Sequence, residues 1–302
     1  MTEQDIAAAV ARMRAEYRAM IPSAGTPDLV AEERTLAIPA SGPARTIPAR
    51  LYVPATAPQG MTLPVILFVH GGGFSAGDLE THEVLARAIA SKASALVVYV
   101  DYRLAPEHPF PAGLSDVYAT LEWLAAHAPE IGGDATRIAL AGDSAGGTLA
   151  AATALLARER RGAAVVAQWL MYPSTSNRMD TPSWAEYGDT HFPTRAAKGM
   201  FMSAYIPAGI DPYSPLVAPL SAPSHAGLPP ALVQTGEMDP LRDEGVAYAE
   251  ALARAGVDAH AVVYPGQTHG FMQFFKDRAS NPLGEAAVDA GVAFLRSAFG
   301  TA

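Results

Sequence analysis

The stretch Leu140-Ala-Gly-Asp-Ser-Ala-Gly-Gly147 decides the fold. Ser144 lies in Gly142-Asp143-Ser144-Ala145-Gly146, a G-x-S-x-G pattern between the apolar run Arg137–Ala141 and an alanine-rich helical stretch that starts at Gly147. A serine at such a strand-to-helix corner is a nucleophile elbow. The turn strains the serine backbone and lifts its hydroxyl above the sheet, while small flanking residues let strand and helix cross closely. The pentapeptide alone is matched equally by an ordinary serine N-cap. The strand before it and the helix after it favour the elbow.

Working outward, further short runs are rich in Val, Ile and Leu: Val65–Val69, Ala95–Val100, Ile138–Ala141, Val165–Met171, Ala231–Gln234 and Ala259–Tyr264. Helix-period stretches at Glu80–Lys92, Leu114–His127, Thr148–Arg160 and Leu241–Ala255 separate them. Strands that are apolar on both sides and alternate with helices predict an α/β fold, a mostly parallel sheet covered on both faces. Two segments break the rhythm. Residues 1–45 carry an amphipathic helix (Ile6, Val10, Met13, Tyr17) and then a Pro/Gly-rich stretch. Residues 174–228 hold many prolines and the aromatics Trp184, Tyr187, Phe192, Phe201 and Tyr205. An insertion that long between buried strands reads as a layer over the site. The expected division is therefore an N-terminal cap part (1–45), a catalytic domain (46–173 and 229–302) and a cap insertion (174–228).

Composition narrows the function. Of 302 residues, 50% are hydrophobic and 17% charged, which suits a large core. A formal charge of −9 gives no footprint for nucleic acid. The chain has no cysteine, which removes disulfides, thiolate metal sites and a cysteine nucleophile. The first residues are charged throughout, unlike a signal peptide, and no apolar run approaches the roughly 18 residues of a membrane span. A cytoplasmic protein without membrane or nucleic-acid partner is expected.

Three further stretches supply chemistry. Leu67-Phe-Val-His-Gly-Gly-Gly-Phe74 follows a strand, and its glycine backbone can point N–H groups at one oxygen, as an acyl-transfer transition state requires. Neither a P-loop nor G-x-G-x-x-G is matched there. His70 suits a role in fixing this loop. A serine hydroxyl needs a base, and of the eight histidines His269 stands beyond the last apolar strand, where sites in open α/β sheets assemble. The orienting acid comes from Glu237, Asp239 or Asp243 in Leu232–Gly245. Asp239 also suits the N-cap of the helix opened by Pro240, yet the chain order Ser144, Asp239, His269 agrees with that of serine hydrolases on this type of sheet.

Together HGGGF (His70–Phe74), DYRLAPEHPFPA (Asp101–Ala112), GDSAGG (Gly142–Gly147), DPLRDEG (Asp239–Gly245) and HGF (His269–Phe271) resemble the bacterial hormone-sensitive lipase family of esterases, family IV. The resemblance runs from about residue 62 to the C-terminus. It implies an α/β-hydrolase fold with a helical cap and cofactor-free, metal-free hydrolysis of short- to medium-chain carboxylic esters. Carried over residue by residue, it implies Ser144 as nucleophile, His269 as base and acid, and Asp239 as orienting acid. Gly72, Gly73 and Ala145 become the oxyanion donors, and Asp101, Arg103, Glu107 and Asp116 a polar scaffold. Phe74, Trp184, Phe192, Phe201 and Tyr205 are the expected substrate-binding residues. The competing readings are a receptor-like small-molecule-binding protein on the same fold and a hydrolase of amides or lactones. Ala259–Tyr264 is expected as an edge strand able to pair with a second copy in a homodimer.

Overall fold

Eight strands form one sheet in the computed structural model, which describes residues 2–40, 45–56 and 60–301. The Pro/Gly-rich positions 41–44 lie outside the described residues. The strands are β1 (Val30–Pro39), β2 (Thr46–Pro54), β3 (Leu63–Val69), β4 (Leu96–Val100), β5 (Gly133–Asp143), β6 (Ala167–Met171), β7 (Ala231–Gly236) and β8 (Ala259–Tyr264). Their spatial order is β1-β2-β4-β3-β5-β6-β7-β8. From β4 onward the neighbours are parallel, whereas β1 and β2 run antiparallel. The helices are α1 (Glu3–Ala19), α2 (Glu83–Ala93), α3 (Ala112–His127), α4 (Ala145–Arg160), α5 (Pro182–Tyr187), α6 (Arg195–Tyr205), α7 (Arg242–Arg254) and α8 (Gly284–Phe299). None of the described helices is long and apolar enough to cross a membrane.

The central strands are apolar at nearly every position because helices cover both faces. Along β3, Val65, Leu67 and Val69 join the core beneath α3, α4 and α7, whereas Ile66 and Phe68 join the core beneath α2 and α8. Each fully buried aliphatic side chain of this kind contributes about 1.5–3 kcal/mol. The reading of 1–45 as one N-terminal layer needs correction. Residues 30–39 are β1, hydrogen-bonded along β2. Half-exposed and carrying Glu32, Glu33 and Arg34, β1 has no two-sided apolar run to announce it. These charges also blunt the sheet edge. Helix α8 likewise escaped the pattern of apolar runs.

Helix α1 is tied across the ends of the parallel strands. Arg14 grips Glu107 with two hydrogen bonds of 2.7 Å and donates to the carbonyls of Ser75 and Ala105 at 2.7 and 3.0 Å. Asp116, buried at the start of α3, receives Arg103 at 2.8 and 2.9 Å and also pairs with Arg45. Arg103, Glu107 and Asp116 thus bind segments together rather than facing the serine. Among the described residues no cluster of three or more His, Asp or Glu side chains is arranged for a metal ion.

Candidate active site

Strand β5 runs straight into α4, and Ser144 occupies the corner with φ 52° and ψ −121°. That left-handed φ is costly for a non-glycine residue and persists only where the surroundings enforce it. Here the Ser144 N–H donates to the Met171 carbonyl at 2.8 Å, while its own carbonyl accepts the Thr148 N–H at 3.1 Å. Gly146 must be glycine, because a Cβ there would stand 2.0 Å from the Val69 carbonyl oxygen.

The serine hydroxyl lies 2.9 Å from His269 Nε2, and His269 Nδ1 lies 2.7 Å from Asp239 Oδ2. A carboxylate only accepts, so Nδ1 carries the proton and Nε2 is free to accept from Ser144 Oγ. His269 comes from the turn after β8 and Asp239 from the turn after β7. Asp239 is wholly buried, and its other oxygen accepts the Leu241 N–H at 2.8 Å. It therefore fixes the turn before α7 and contacts the histidine at once, but it is not the helix N-cap expected from the sequence, since α7 opens at Arg242 with Leu241 at the N-cap. The rival acids point elsewhere. Asp243 accepts the Ser183 N–H at 2.7 Å and pairs with Arg242 at 2.8 Å, and Glu237 accepts the Gly266 N–H at 2.7 Å.

Gly72 and Gly73, with φ 112° and 61°, wrap toward the serine. Together with Ser144, Ala145 and His269 they line one cavity. Ala145 is the first residue of α4, where the helix leaves its N–H groups without intrahelical acceptors. The loop is held from beneath by residues that the motifs did not single out for this task. The Gly71 N–H donates to Asp143 Oδ1 at 2.8 Å, and His82 Nε2 reaches Asp143 Oδ2 at 3.3 Å. Burial alone would push the Asp143 carboxyl up, but His82 and the Gly71 N–H together hold it below the usual carboxylate range. Tyr17 of α1 approaches His82 at 3.4 Å and donates to Gln273 at 3.0 Å, linking α1 to the His269 segment. The periodicity of α1 placed Tyr17 on an apolar face, with no sign of its hydroxyl's partners.

His70 donates from Nδ1 to the Gly71 carbonyl at 2.7 Å and stacks on Tyr102 at 4.4 Å. Burial, reinforced by His82, pushes its pKa down to about 4. An unfolded chain protonates this histidine near ~6.5. Its contribution to stability is thus complete above that value and is lost as pH falls toward 4, in total on the order of 3 kcal/mol. Thermal unfolding of the wild type is expected to drop between pH 7 and pH 5, and more steeply than that of His70→Asn. Parallel slopes for the two proteins would remove His70 as the source.

The cavity measures about 360 Å³. Of the five residues expected to bind substrate, Phe74, Phe192 and Phe201 line it, while Trp184 and Tyr205 do not. Trp184 is fully buried and donates from Nε1 to Glu244 at 3.3 Å. Tyr205 stacks face to face on Phe74 with centroids 3.9 Å apart. Both rings are consumed in seating the inserted segment on the catalytic core, Trp184 against α7 and Tyr205 against the loop after β3. The walls also include Met13, Tyr17 and Met20 from the N-terminal segment, and Lys198 and Met202 from α6.

A family model for the alpha/beta hydrolase fold matches residues 66–273. Carboxylesterase NlhH of Mycobacterium tuberculosis is 43% identical over 276 residues, covering 90% of this chain and 84% of that protein. Among solved structures, the thermostable carboxylesterase EstE1 from a metagenomic library superposes with TM-score 0.89 at 38% identity, covering 97% of both chains. The hyperthermophilic esterase of Pyrobaculum calidifontis gives TM-score 0.87 at 38% identity, covering 97% of this chain and 93% of that one.

Proposed function

This chain belongs to the bacterial family IV esterases of the α/β-hydrolase fold and is a carboxylic ester hydrolase; from that premise we propose that Ser144, His269 and Asp239 carry the reaction through an acyl-enzyme. The observation that supports this most is the continuous chain of hydrogen bonds from Asp239 through His269 to Ser144, at the floor of the cavity. Ser144 Oγ attacks the ester carbonyl as His269 Nε2 takes its proton, and Asp239 stabilises the resulting imidazolium. The N–H groups of Gly72, Gly73 and Ala145 receive the developing oxyanion. Collapse expels the alcohol, protonated by His269, and leaves Ser144 acylated. Water, deprotonated by the same histidine, then releases the acid. Reaction with a fluorescent organophosphonate tests the proposal. Mass spectrometry is expected to find one adduct per chain, on Ser144, and an adduct elsewhere would reject it.

Short to medium acyl chains are part of the same proposal, supported by a small cavity walled by Phe74, Phe192 and Phe201. Each buried methylene adds about 0.8 kcal/mol, so kcat/KM is expected to climb from acetate and peak at about four to six acyl carbons. Beyond that, further carbons must displace the walls. Phe201→Ala should move the optimum toward longer chains. Trp184→Ala should lower the melting temperature and leave the optimum in place. A profile that peaks at twelve carbons, or moves with Trp184 and not with Phe201, contradicts this picture.

We also propose that α1 and residues 174–228 act together as the cap, supported by the cavity walls each contributes. We propose a cytoplasmic location, and cell fractionation tests it. A homodimer through β8 is supported by that strand's free edge and by Val262 and Val263, 38% and 41% exposed there. Light scattering is expected to show a dimer at micromolar concentration, reduced to monomer by Val263→Lys. A wild-type monomer rejects it.

A further inference from the structure

Lys198 is a buried charge that the ester-cleaving machinery does not use. It lies on α6 three and four residues before Phe201 and Met202, on the same helix face. It is 3% exposed and lines the cavity with Ser144 and His269. Its Nζ donates to Ser174 Oγ and to the Ser176 carbonyl, the latter at 3.3 Å. An ammonium has three N–H donors, and no third protein acceptor lies within reach among the described residues. The lysine and the nucleophile line the same cavity, and hydrogen bonds tie the segments that carry them. The Ser174 carbonyl accepts from Thr148 Oγ1 at 2.6 Å, and the Thr148 N–H is bound to the Ser144 carbonyl at 3.1 Å.

The counter-charge is Glu244 of α7, itself 1% exposed. The two share Ser176, whose carbonyl accepts from Lys198 while its N–H donates to Glu244 at 3.2 Å. The two meet through Ser176 and not in a direct salt bridge, and packing alone gives no reason to bury both, since buried opposite charges are commonly no more stabilising than apolar residues of similar volume. The surrounding wall of Phe192, Phe201 and Met202 is apolar.

Resting on the esterase reading above, we infer that Lys198 is the donor of a recognition subsite for esters bearing an uncharged oxygen acceptor, a keto or ether oxygen close to the scissile carbonyl. An uncharged group fits because Glu244 already balances the ammonium. A substrate carboxylate would leave an unpaired anion in the cavity.

Two near-isosteric pairs test this. In the acyl moiety, p-nitrophenyl levulinate is compared with p-nitrophenyl isocaproate. In the alcohol moiety, methoxyethyl butyrate is compared with butyl butyrate. Each kcat/KM is divided by the alkaline hydrolysis rate of the same ester. In at least one pair the wild type is expected to favour the oxygenated member, and Lys198→Met to cut that preference roughly tenfold, the worth of one charge-assisted hydrogen bond. The double variant Lys198→Met/Glu244→Gln, which leaves no stranded carboxylate, should lose the preference equally. The subsite is overturned if the wild type favours the apolar member of both pairs, or if the preference survives both variants. Failure of the esterase reading looks different: none of the four esters is turned over in a Ser144-dependent way, and the subsite falls with it.

Discussion

Ser144→Ala is expected to lower kcat by roughly 10⁵- to 10⁶-fold with the fold intact, the scale seen when the nucleophile of a serine hydrolase is removed. The Ser144 hydroxyl has one side-chain partner, His269 at 2.9 Å, so its loss strands no other buried group. Alanine keeps the Ser144 N–H bond to Met171 and the bond from Thr148, which together impose the φ of 52° on the corner. The backbone donors at Gly72, Gly73 and Ala145 also remain, so the small residual rate should reflect their electrostatic contribution. Melting temperature and the dissociation constant of a non-hydrolysable ester analogue should match the parent. Activity within tenfold of the parent would mean that the reactive group lies elsewhere.

Asp239→Asn should cost roughly 10⁴-fold in kcat. The reason is geometric. Asp239 Oδ1 is held by the Leu241 N–H at 2.8 Å, so an asparagine at this position keeps its carbonyl oxygen there and turns its amide nitrogen toward His269 Nδ1. That nitrogen donates, which forces the proton to Nε2 and aims it at Ser144. The histidine can then no longer accept. Asp243→Asn, by contrast, weakens a tie between α7 and the inserted segment through Ser183. It should reduce kcat by less than about tenfold, with a lower melting temperature as the main effect. Paired kcat and melting measurements on the two variants decide the matter, since a reversal would make Asp243 the orienting acid.

How much of this was legible in the sequence depended on range. The elbow, the glycine loop and the two-sided strands β3 to β7 are dictated by neighbours in the chain: small residues where backbones cross, apolar runs where helices cover both faces. Such features leave a local mark, and so did the order Ser144, Asp239, His269. The antiparallel β1 and β2 left a weaker one, because a strand with a solvent-facing side needs only half its residues apolar, and prolines at 39, 48 and 54 blur even that alternation.

Aromatic content marked the inserted segment but not the direction of its rings. Trp184 turns inward to Glu244 and Tyr205 onto Phe74, whereas Phe192 and Phe201 face the cavity. The same holds for charges. Nothing around Lys198 in the chain distinguishes it from a solvated lysine, and its burial arises from Ser174, Ser176 and Glu244, brought in from β6's exit and α7. His82 and Asp143 meet across 61 positions of chain. By itself, then, the sequence determined the fold and singled out the residues proposed to react, because local backbone geometry selects those residue types. Only the tertiary structure decided which buried polar groups share a cavity, because burial and hydrogen-bond partners at that range depend on how whole elements pack.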